Sequence, residues 1–175
     1  MAGIKALGKG SLASALSVLM NIILILGWVG FIGSAVILAG FVAIDLSGGE
    51  IQMPGLEVYK SVSLNTYLVA FAVLFVIFIG FILMASQLRK ILSTLIDGEP
   101  FVPENATRLT RLSMIVAGME IANYIIGFAA NMFNVKTSLD FSVNLAAWVA
   151  VITLTVLSQV FAEGTRLREE EKMTI

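Results

Sequence analysis

The sequence predicts an all-α integral membrane protein, a bundle of four transmembrane helices that forms a single domain over residues 1–175. Hydrophobic residues make up 58% of the chain, whereas soluble domains contain about half. A helix of about 20 apolar residues crosses the hydrocarbon core of a bilayer. Four stretches exceed that length and contain no Asp, Glu, Lys or Arg except Glu120: 10–44, 61–88, 112–135 and 141–162.

The distribution of positive charge predicts the orientation of these helices. Nine of the eleven Lys and Arg residues fall before the first stretch, between the second and third, or after the fourth. The other two are Lys60 and Lys136. Positive residues accumulate on the cytoplasmic side of membrane proteins, so we expect both termini and the second connection to be cytoplasmic. The first stretch is longer than the apolar core of a signal peptide, and we expect it to be retained.

The helices are predicted at about residues 11–44, 63–96, 104–135 and 140–168. Residues 45–62 contain a Gly-Gly and a Pro-Gly pair, which are turn signals, and we expect them to form an external loop. Small residues near the middle of the first helix predict a face that packs closely against another helix. These small residues are Gly27, Gly30, Gly33 and Ser34.

The second helix is predicted to end in an amphipathic extension, because its apolar residues recur at helical spacing over residues 88–95. Gly98 is predicted to stop the helix, and residues 97–103 then form a cytoplasmic connection. Pro103 suits the first turn of the third helix, and Glu104 suits the positive end of its dipole.

The composition excludes most kinds of catalytic site. The chain contains no Cys and no His, so it has no disulfide, no thiolate nucleophile and few of the usual ligands for zinc, iron or haem. The formal net charge of −1 gives no general attraction to nucleic acid. We therefore expect a non-enzymatic protein that contacts the lipid bilayer, needs no cofactor or metal, and does not bind nucleic acid directly.

Glu120 is the one ionisable residue within the four stretches, and it lies roughly 13 Å along its helix from Arg111. A charge near mid-depth costs at least a few kcal/mol, so we expect Glu120 to face other helices. Antiparallel packing predicts that Thr155 lies near the depth of Glu120, with Asn21 at a comparable depth. The full set of candidate intramembrane polar residues is Glu120, Asn123, Asn131, Asn134, Asn21, Thr155 and Gln159. They form either interhelical hydrogen bonds or a site for a ligand, ion or proton.

Two segments carry recognisable motifs. Residues 96–109 read IDGEPFVPENATRL, and residues 160–170 read VFAEGTRLREE. Through these segments and its four-span layout, the chain resembles a bacterial family of small membrane proteins called domain of unknown function 2975. The resemblance implies a multi-pass protein of the bacterial inner (cytoplasmic) membrane with no established activity. It also implies a possible pairing with a regulator of the helix-turn-helix type.

The second connection and the C-terminal tail form the other candidate site. The candidate partner-binding residues are Gly98, Pro100, Phe101, Asn105, Arg108, Gly164 and Leu167. The prolines, glycine and aromatic residue of this connection predict either a rigid corner between two helices or a docking site for a cytoplasmic partner.

Three functions follow from these two sites. We expect a regulatory or partner-binding protein that presents residues 97–111 and the tail to a cytoplasmic protein. The alternatives are translocation of a small solute, ion or proton, or ligand binding, centred on Glu120, and a role as an accessory subunit bound to a membrane partner.

Overall fold

The computed structural model describes residues 12–48, 63–135 and 142–173. Within these ranges the chain forms no strand, and it forms four α-helices: α1 (Leu12–Leu46), α2 (Leu64–Ile96), α3 (Pro103–Met132) and α4 (Leu145–Met173). Each helix is long and apolar enough to cross a membrane. The predicted all-α class is therefore confirmed, as is the presence of four helices that meet the requirements of membrane spans.

The ends of the helices differ modestly from the predicted limits. The α1 helix continues to Leu46, into the predicted external loop, most of which lies outside the described residues. The α3 helix ends at Met132, and Asn134 follows with a positive φ of 53°. Such a conformation cannot continue a helix. The α4 helix covers Leu145–Met173 rather than 140–168.

The four helices form an open layer rather than a closed bundle. The α1 helix packs on α2, α2 on α3, and α3 on α4, while no other pair of described helices is in contact. A closed bundle would also bring α4 against α1. In a bilayer the lipid tails are as apolar as the side chains they meet, so no hydrophobic force drives the layer to close.

Close packing of α1 on α2 depends on two of the small residues singled out above. A Cβ atom at Gly30 would lie 2.6 Å from Cε1 of Phe78, and one at Gly27 would lie 3.0 Å from Cγ1 of Ile82. Gly33 does not belong to this face, because a Cβ atom there meets nothing within 4 Å. The predicted packing face therefore exists, but it is shorter than the sequence suggested.

The α2 and α3 helices are the two inner helices of the layer, since each of them contacts two other helices. A small apolar core lies between α2 and α3 and consists of Val69, Val73, Ile126 and Ala130. Gly80 of α2 approaches Met119 of α3 so closely that a Cβ atom would overlap the Met119 side chain. These contacts fix α2 and α3 in one antiparallel register.

This register brings the basic residues of α2 and α3 to one end of the layer. The Arg108 guanidinium donates a hydrogen bond to the Lys90 carbonyl oxygen at 3.1 Å. Asn105 and Thr94 are also paired, which places Arg111 level with residues 87–89 of α2. We call this end, with Arg89, Lys90, Arg108 and Arg111, the basic end. The α1 helix begins and the α4 helix ends there, because successive helices are antiparallel.

Candidate functional site

The basic end contains a tightly closed corner, which we define as residues 97–105, between α2 and α3. Gly98 has a φ of +80°, a conformation that glycine adopts without strain. The Gly98 amide donates to the Leu95 carbonyl oxygen at 3.2 Å, and the Glu99 amide donates to the Thr94 carbonyl oxygen at 2.9 Å. These bonds satisfy the last carbonyl groups of α2. Gly98 therefore ends the helix as the sequence predicted.

Asn105 joins the three parts of this corner. Its side chain is 0% exposed. The Asn105 Nδ2 amide donates to Thr94 Oγ1 at 2.7 Å and to the Pro100 carbonyl oxygen at 2.9 Å. Its Oδ1 atom accepts from Arg108 Nη1 at 2.8 Å. A buried polar group costs free energy unless it is hydrogen-bonded, and here one amide holds the end of α2, the connection and the start of α3 together.

The corner also holds the end of α4. The Phe101 and Phe161 ring centroids are 5.5 Å apart. A Cβ atom at Gly164 would lie 2.8 Å from Cδ1 of Phe101, so only glycine leaves room for the ring. Arg168 Nη2 lies 3.7 Å from Glu99 Oε1. Residues 163–173, which we call the α4 extension, are therefore fixed beside the corner.

These contacts divide the predicted partner-binding residues into two groups. Asn105, Arg108 and Gly164 are internal, because their atoms form or adjoin the contacts that close the corner, and the Pro100 carbonyl oxygen is also used there. The exposed members are Gly98, Phe101 and Leu167. Phe101 is 41% exposed and Leu167 is 54% exposed, so these are the two large apolar side chains of the set that a partner could contact.

The second candidate site surrounds Glu120 at the contact between α3 and α4. Glu120 is only 9% exposed. The Tyr124 hydroxyl donates to Glu120 Oε2 at 3.4 Å, and the Trp148 indole Nε1–H donates to the Tyr124 oxygen at 3.1 Å. A chain of polar groups thus runs from α4 through Tyr124 to the carboxyl of Glu120.

The predicted position of Thr155 is wrong. Thr155 pairs with Ser113, their hydroxyl oxygens being 2.8 Å apart, and Ser113 lies about two turns nearer the basic end than Glu120. Trp148, which lies about two turns before Thr155 in α4, is the α4 residue that reaches the Glu120 network, by its bond to Tyr124. The register of two packed helices depends on which side chains interdigitate, and the spacing of polar residues along each helix does not contain that information.

The predicted position of Asn21 is also wrong. Asn21 is exposed, and α1 contacts only α2, so Asn21 cannot meet the α3 residues. The contact of Gly27 with Ile82 also places Asn21 closer to the basic end than Glu120. The other predicted polar residues do not converge on Glu120 either: Asn131, Asn134 and Gln159 are exposed, and Asn123 is half-buried.

Sequence reasoning missed Thr94, which completes the corner, and Ser113, which pairs with Thr155 between α3 and α4. Each is a small hydroxyl residue in a helix, where its side chain often bonds its own backbone, and Thr94 indeed donates to the Ile91 carbonyl oxygen at 2.7 Å. Only the register of α2 against α3 and of α3 against α4 reveals their second partners. Across the described ranges, no group of three or more His, Cys, Asp or Glu residues is arranged to hold a metal ion.

The chain matches a known protein family. The family model described as Protein of unknown function (DUF2975) matches residues 51–175, which is more than half of the chain. The match includes α2, α3, α4 and both motif segments, whereas α1 precedes it. No curated protein and no solved structure matches the chain.

Proposed function

Because the chain belongs to the DUF2975 family, whose description names no activity, we propose a function from its geometry. The protein is a non-enzymatic membrane protein that presents the corner and the α4 extension to a cytoplasmic protein as one docking surface. The observation that carries this proposal is the packing of the Phe101 ring against Gly164 and Phe161. That packing joins the two motif segments into a single surface.

Rigidity supports the proposal. Binding is weakened when flexible segments must be ordered, and here that cost has already been met by folding. Asn105 fixes the corner with three side-chain hydrogen bonds, and the corner fixes the α4 extension. The surface therefore has one shape before any partner arrives.

The side chains exposed on this surface also support the docking proposal. Phe101 and Leu167 expose large apolar groups among charged residues of the α4 extension, including Glu163, Arg166 and Arg168. An apolar centre with a charged rim is typical of protein–protein interfaces. The excess of positive residues at this end supports a cytoplasmic position under the positive-inside rule. The membrane is then the bacterial inner membrane that the family resemblance implies.

The test is purification of the tagged protein from its native membranes in a mild detergent, with mass spectrometry of the proteins that remain bound. We expect a stoichiometric cytoplasmic partner that is lost from Leu167→Ala. Leu145→Ala is the matched control, because Leu145 is also exposed on α4 but begins that helix at the opposite end, outside the α4 extension. Purification without a partner, or equal retention by both variants, would contradict the proposal. A membrane partner that survives Leu167→Ala would instead indicate an accessory subunit.

A second candidate function, translocation or binding of a proton or small solute, is favoured by the surroundings of Glu120. This carboxyl is buried at mid-depth and joined to Tyr124 and Trp148. Intramembrane ionisable residues often mark ion and proton pathways. In proteoliposomes with an internal pH-sensitive dye, this function predicts proton flux that Glu120→Gln abolishes and Leu167→Ala leaves intact. The docking function predicts that neither variant differs from an empty liposome.

A further inference from the structure

A groove lined by both polar and apolar side chains lies between α3 and α4 at the basic end, on a surface that neither proposed function uses. It has a volume of about 460 Å³. We call it the α3–α4 groove and define it by six of its lining residues: Thr107, Thr110, Arg111, Ser158, Gln159 and Ala162. A second cavity of about 340 Å³ continues it toward the end of α4 and shares Thr107 and Ala162 with it.

The free hydrogen-bond donors of this groove are Arg111 and Gln159. Neither side chain forms an ion pair or a hydrogen bond with another residue of the described ranges. The neighbouring hydroxyls are already committed as donors, since Thr110 donates to the Ala106 carbonyl oxygen at 3.1 Å and Ser158 to the Thr155 carbonyl oxygen at 2.8 Å. A guanidinium and an amide NH₂ that converge on one groove suit an anionic oxygen ligand, above all a phosphate.

Charge locates this ligand at the Arg111 end of the groove. In the adjoining cavity Arg166 already binds Glu163 at 2.6 Å and Glu170 at 3.6 Å. Glu169 lines that cavity as well and repels an anion. Arg111 has no acidic neighbour of this kind among the residues that line the α3–α4 groove, so its charge is available to a ligand.

The position of the groove relative to the bilayer indicates that the phosphate belongs to a lipid. Arg111 is close to the level of Arg89 at the basic end, where the charge-free part of α2 stops. Met114, one turn closer to the bilayer centre, also lines the groove and is 67% exposed. A molecule with its phosphate at Arg111 therefore extends along Met114 into the hydrocarbon, as a phospholipid does.

We propose that the α3–α4 groove binds the phosphate headgroup of an anionic phospholipid. Arg111 and Gln159 donate hydrogen bonds to the phosphate, and the acyl chains lie along Met114. Basic pockets between transmembrane helices are known sites for anionic lipid headgroups. General attraction of anionic lipid to any basic residue would act equally on Arg89, which is exposed at the same level but lies outside the groove.

The test uses the full-length protein purified in detergent and titrated with dioleoylphosphatidylglycerol, with bound lipid counted by native mass spectrometry. We expect one tightly bound lipid whose affinity falls at least about tenfold in Arg111→Gln, as loss of a charge-assisted hydrogen bond predicts. Arg89→Gln is the matched control and should bind like the wild type. An equal loss in both variants would mean general attraction and would overturn the site.

A steric pair of variants tests the groove without removing charge. Ala162→Leu places a larger side chain in the groove, whereas Ala150→Leu adds the same atoms to an exposed position of α4 elsewhere. We expect only Ala162→Leu to displace the lipid. Inorganic phosphate and dioleoylphosphatidylcholine are the comparison ligands. Competition by millimolar inorganic phosphate would show a soluble anion site and overturn the lipid assignment, and equal binding of the zwitterionic lipid would overturn the requirement for negative charge.

Discussion

The corner at the basic end and the Glu120 site are both polar networks within apolar helices, but they are built differently. At the corner, Asn105 is fully buried and forms three side-chain hydrogen bonds of 2.7 to 2.9 Å. Glu120 receives one bond, of 3.4 Å, from Tyr124. The corner leaves no alternative arrangement for its central side chain. Glu120 has spare acceptor capacity, so its site can change its partners while the fold stays the same.

This difference distinguishes residues that stabilise the fold from residues whose side chains remain available for a function. A fully satisfied polar network makes one structure specific. A long, single hydrogen bond in a membrane is worth about 1 kcal/mol or less. Substitutions at the corner should therefore change stability, and substitutions at Glu120 should change activity more than stability.

The largest loss of stability is expected from substitution of Asn105. Asn105→Leu removes three side-chain hydrogen bonds and leaves the Thr94 hydroxyl, the Pro100 carbonyl oxygen and the Arg108 guanidinium without this partner. Loss of a buried hydrogen-bond partner costs about 1–3 kcal/mol, so we expect a loss of at least about 3 kcal/mol in the free energy of unfolding. Denaturation in detergent, followed by circular dichroism, measures it. Asn131→Leu, at an exposed position of the same helix, should be close to neutral. An equal loss of stability in the two variants would show that the hydrogen bonds of Asn105 do not hold the corner together.

A smaller loss of stability is expected from substitution of Gly164. Gly164→Ala forces the Phe101 ring to move, and overpacking of this kind costs about 1–3 kcal/mol. Because Phe101 is partly exposed and can shift, we expect the lower part of that range. We also expect faster tryptic cleavage after Arg166 and Arg168, since the α4 extension loses its contact with the corner.

Gly118→Ala is the control for Gly164→Ala, because a Cβ atom at Gly118 meets nothing within 4 Å. A helical alanine at Gly118 should stabilise the protein slightly. Unchanged cleavage in Gly164→Ala would mean that the corner does not hold the α4 extension.

Two tyrosines give a matched comparison at the Glu120 site. Tyr124→Phe removes the hydroxyl that joins Trp148 to Glu120, and we expect a loss of about 1 kcal/mol. The Tyr67 hydroxyl is buried and forms no hydrogen bond with any described residue. Tyr67→Phe should therefore be neutral or stabilising. The measurement is the free energy of unfolding of both variants in one detergent. A larger loss of stability in Tyr67→Phe than in Tyr124→Phe would contradict the hydrogen-bond network at Glu120.

The smallest effect on stability is expected for Glu120→Gln. Glutamine keeps the length of the side chain and an oxygen that can accept from Tyr124, so we expect a change below about 0.5 kcal/mol. The same unfolding measurement tests this expectation. A large loss of stability would show that Glu120 holds the fold as Asn105 does, and the contrast between the two sites would disappear.

The sequence alone was sufficient for the helices and for the stop at Gly98. Bilayer thickness imposes a minimum apolar length, so uncharged stretches of more than 20 residues predict spans directly. Gly98 follows a helical pattern at the point where a left-handed residue is needed, and the structure gives it a φ of +80°. Both features depend on local sequence, which is why they could be predicted.

The sequence was not sufficient for the contacts between helices. Thr155 was predicted near the depth of Glu120, but it pairs with Ser113. The α4 residue that joins the Glu120 network is Trp148, through Tyr124. The open layer was missed for a related reason. Lipid and neighbouring helices are equally apolar, so the hydrophobic pattern of a helix does not reveal which of its faces meets protein.

The order of the helices in the layer is the order in which they are synthesised. Because α1 contacts only α2, and α4 contacts only α3, every new helix that enters the bilayer finds its one neighbour already in place. No helix has to wait for a distant part of the chain, and the delay that non-local contacts impose on folding does not arise. The layer can therefore assemble during translation, one helix at a time. Gly164 then meets Phe101, which closes the basic end only after α4 has been synthesised.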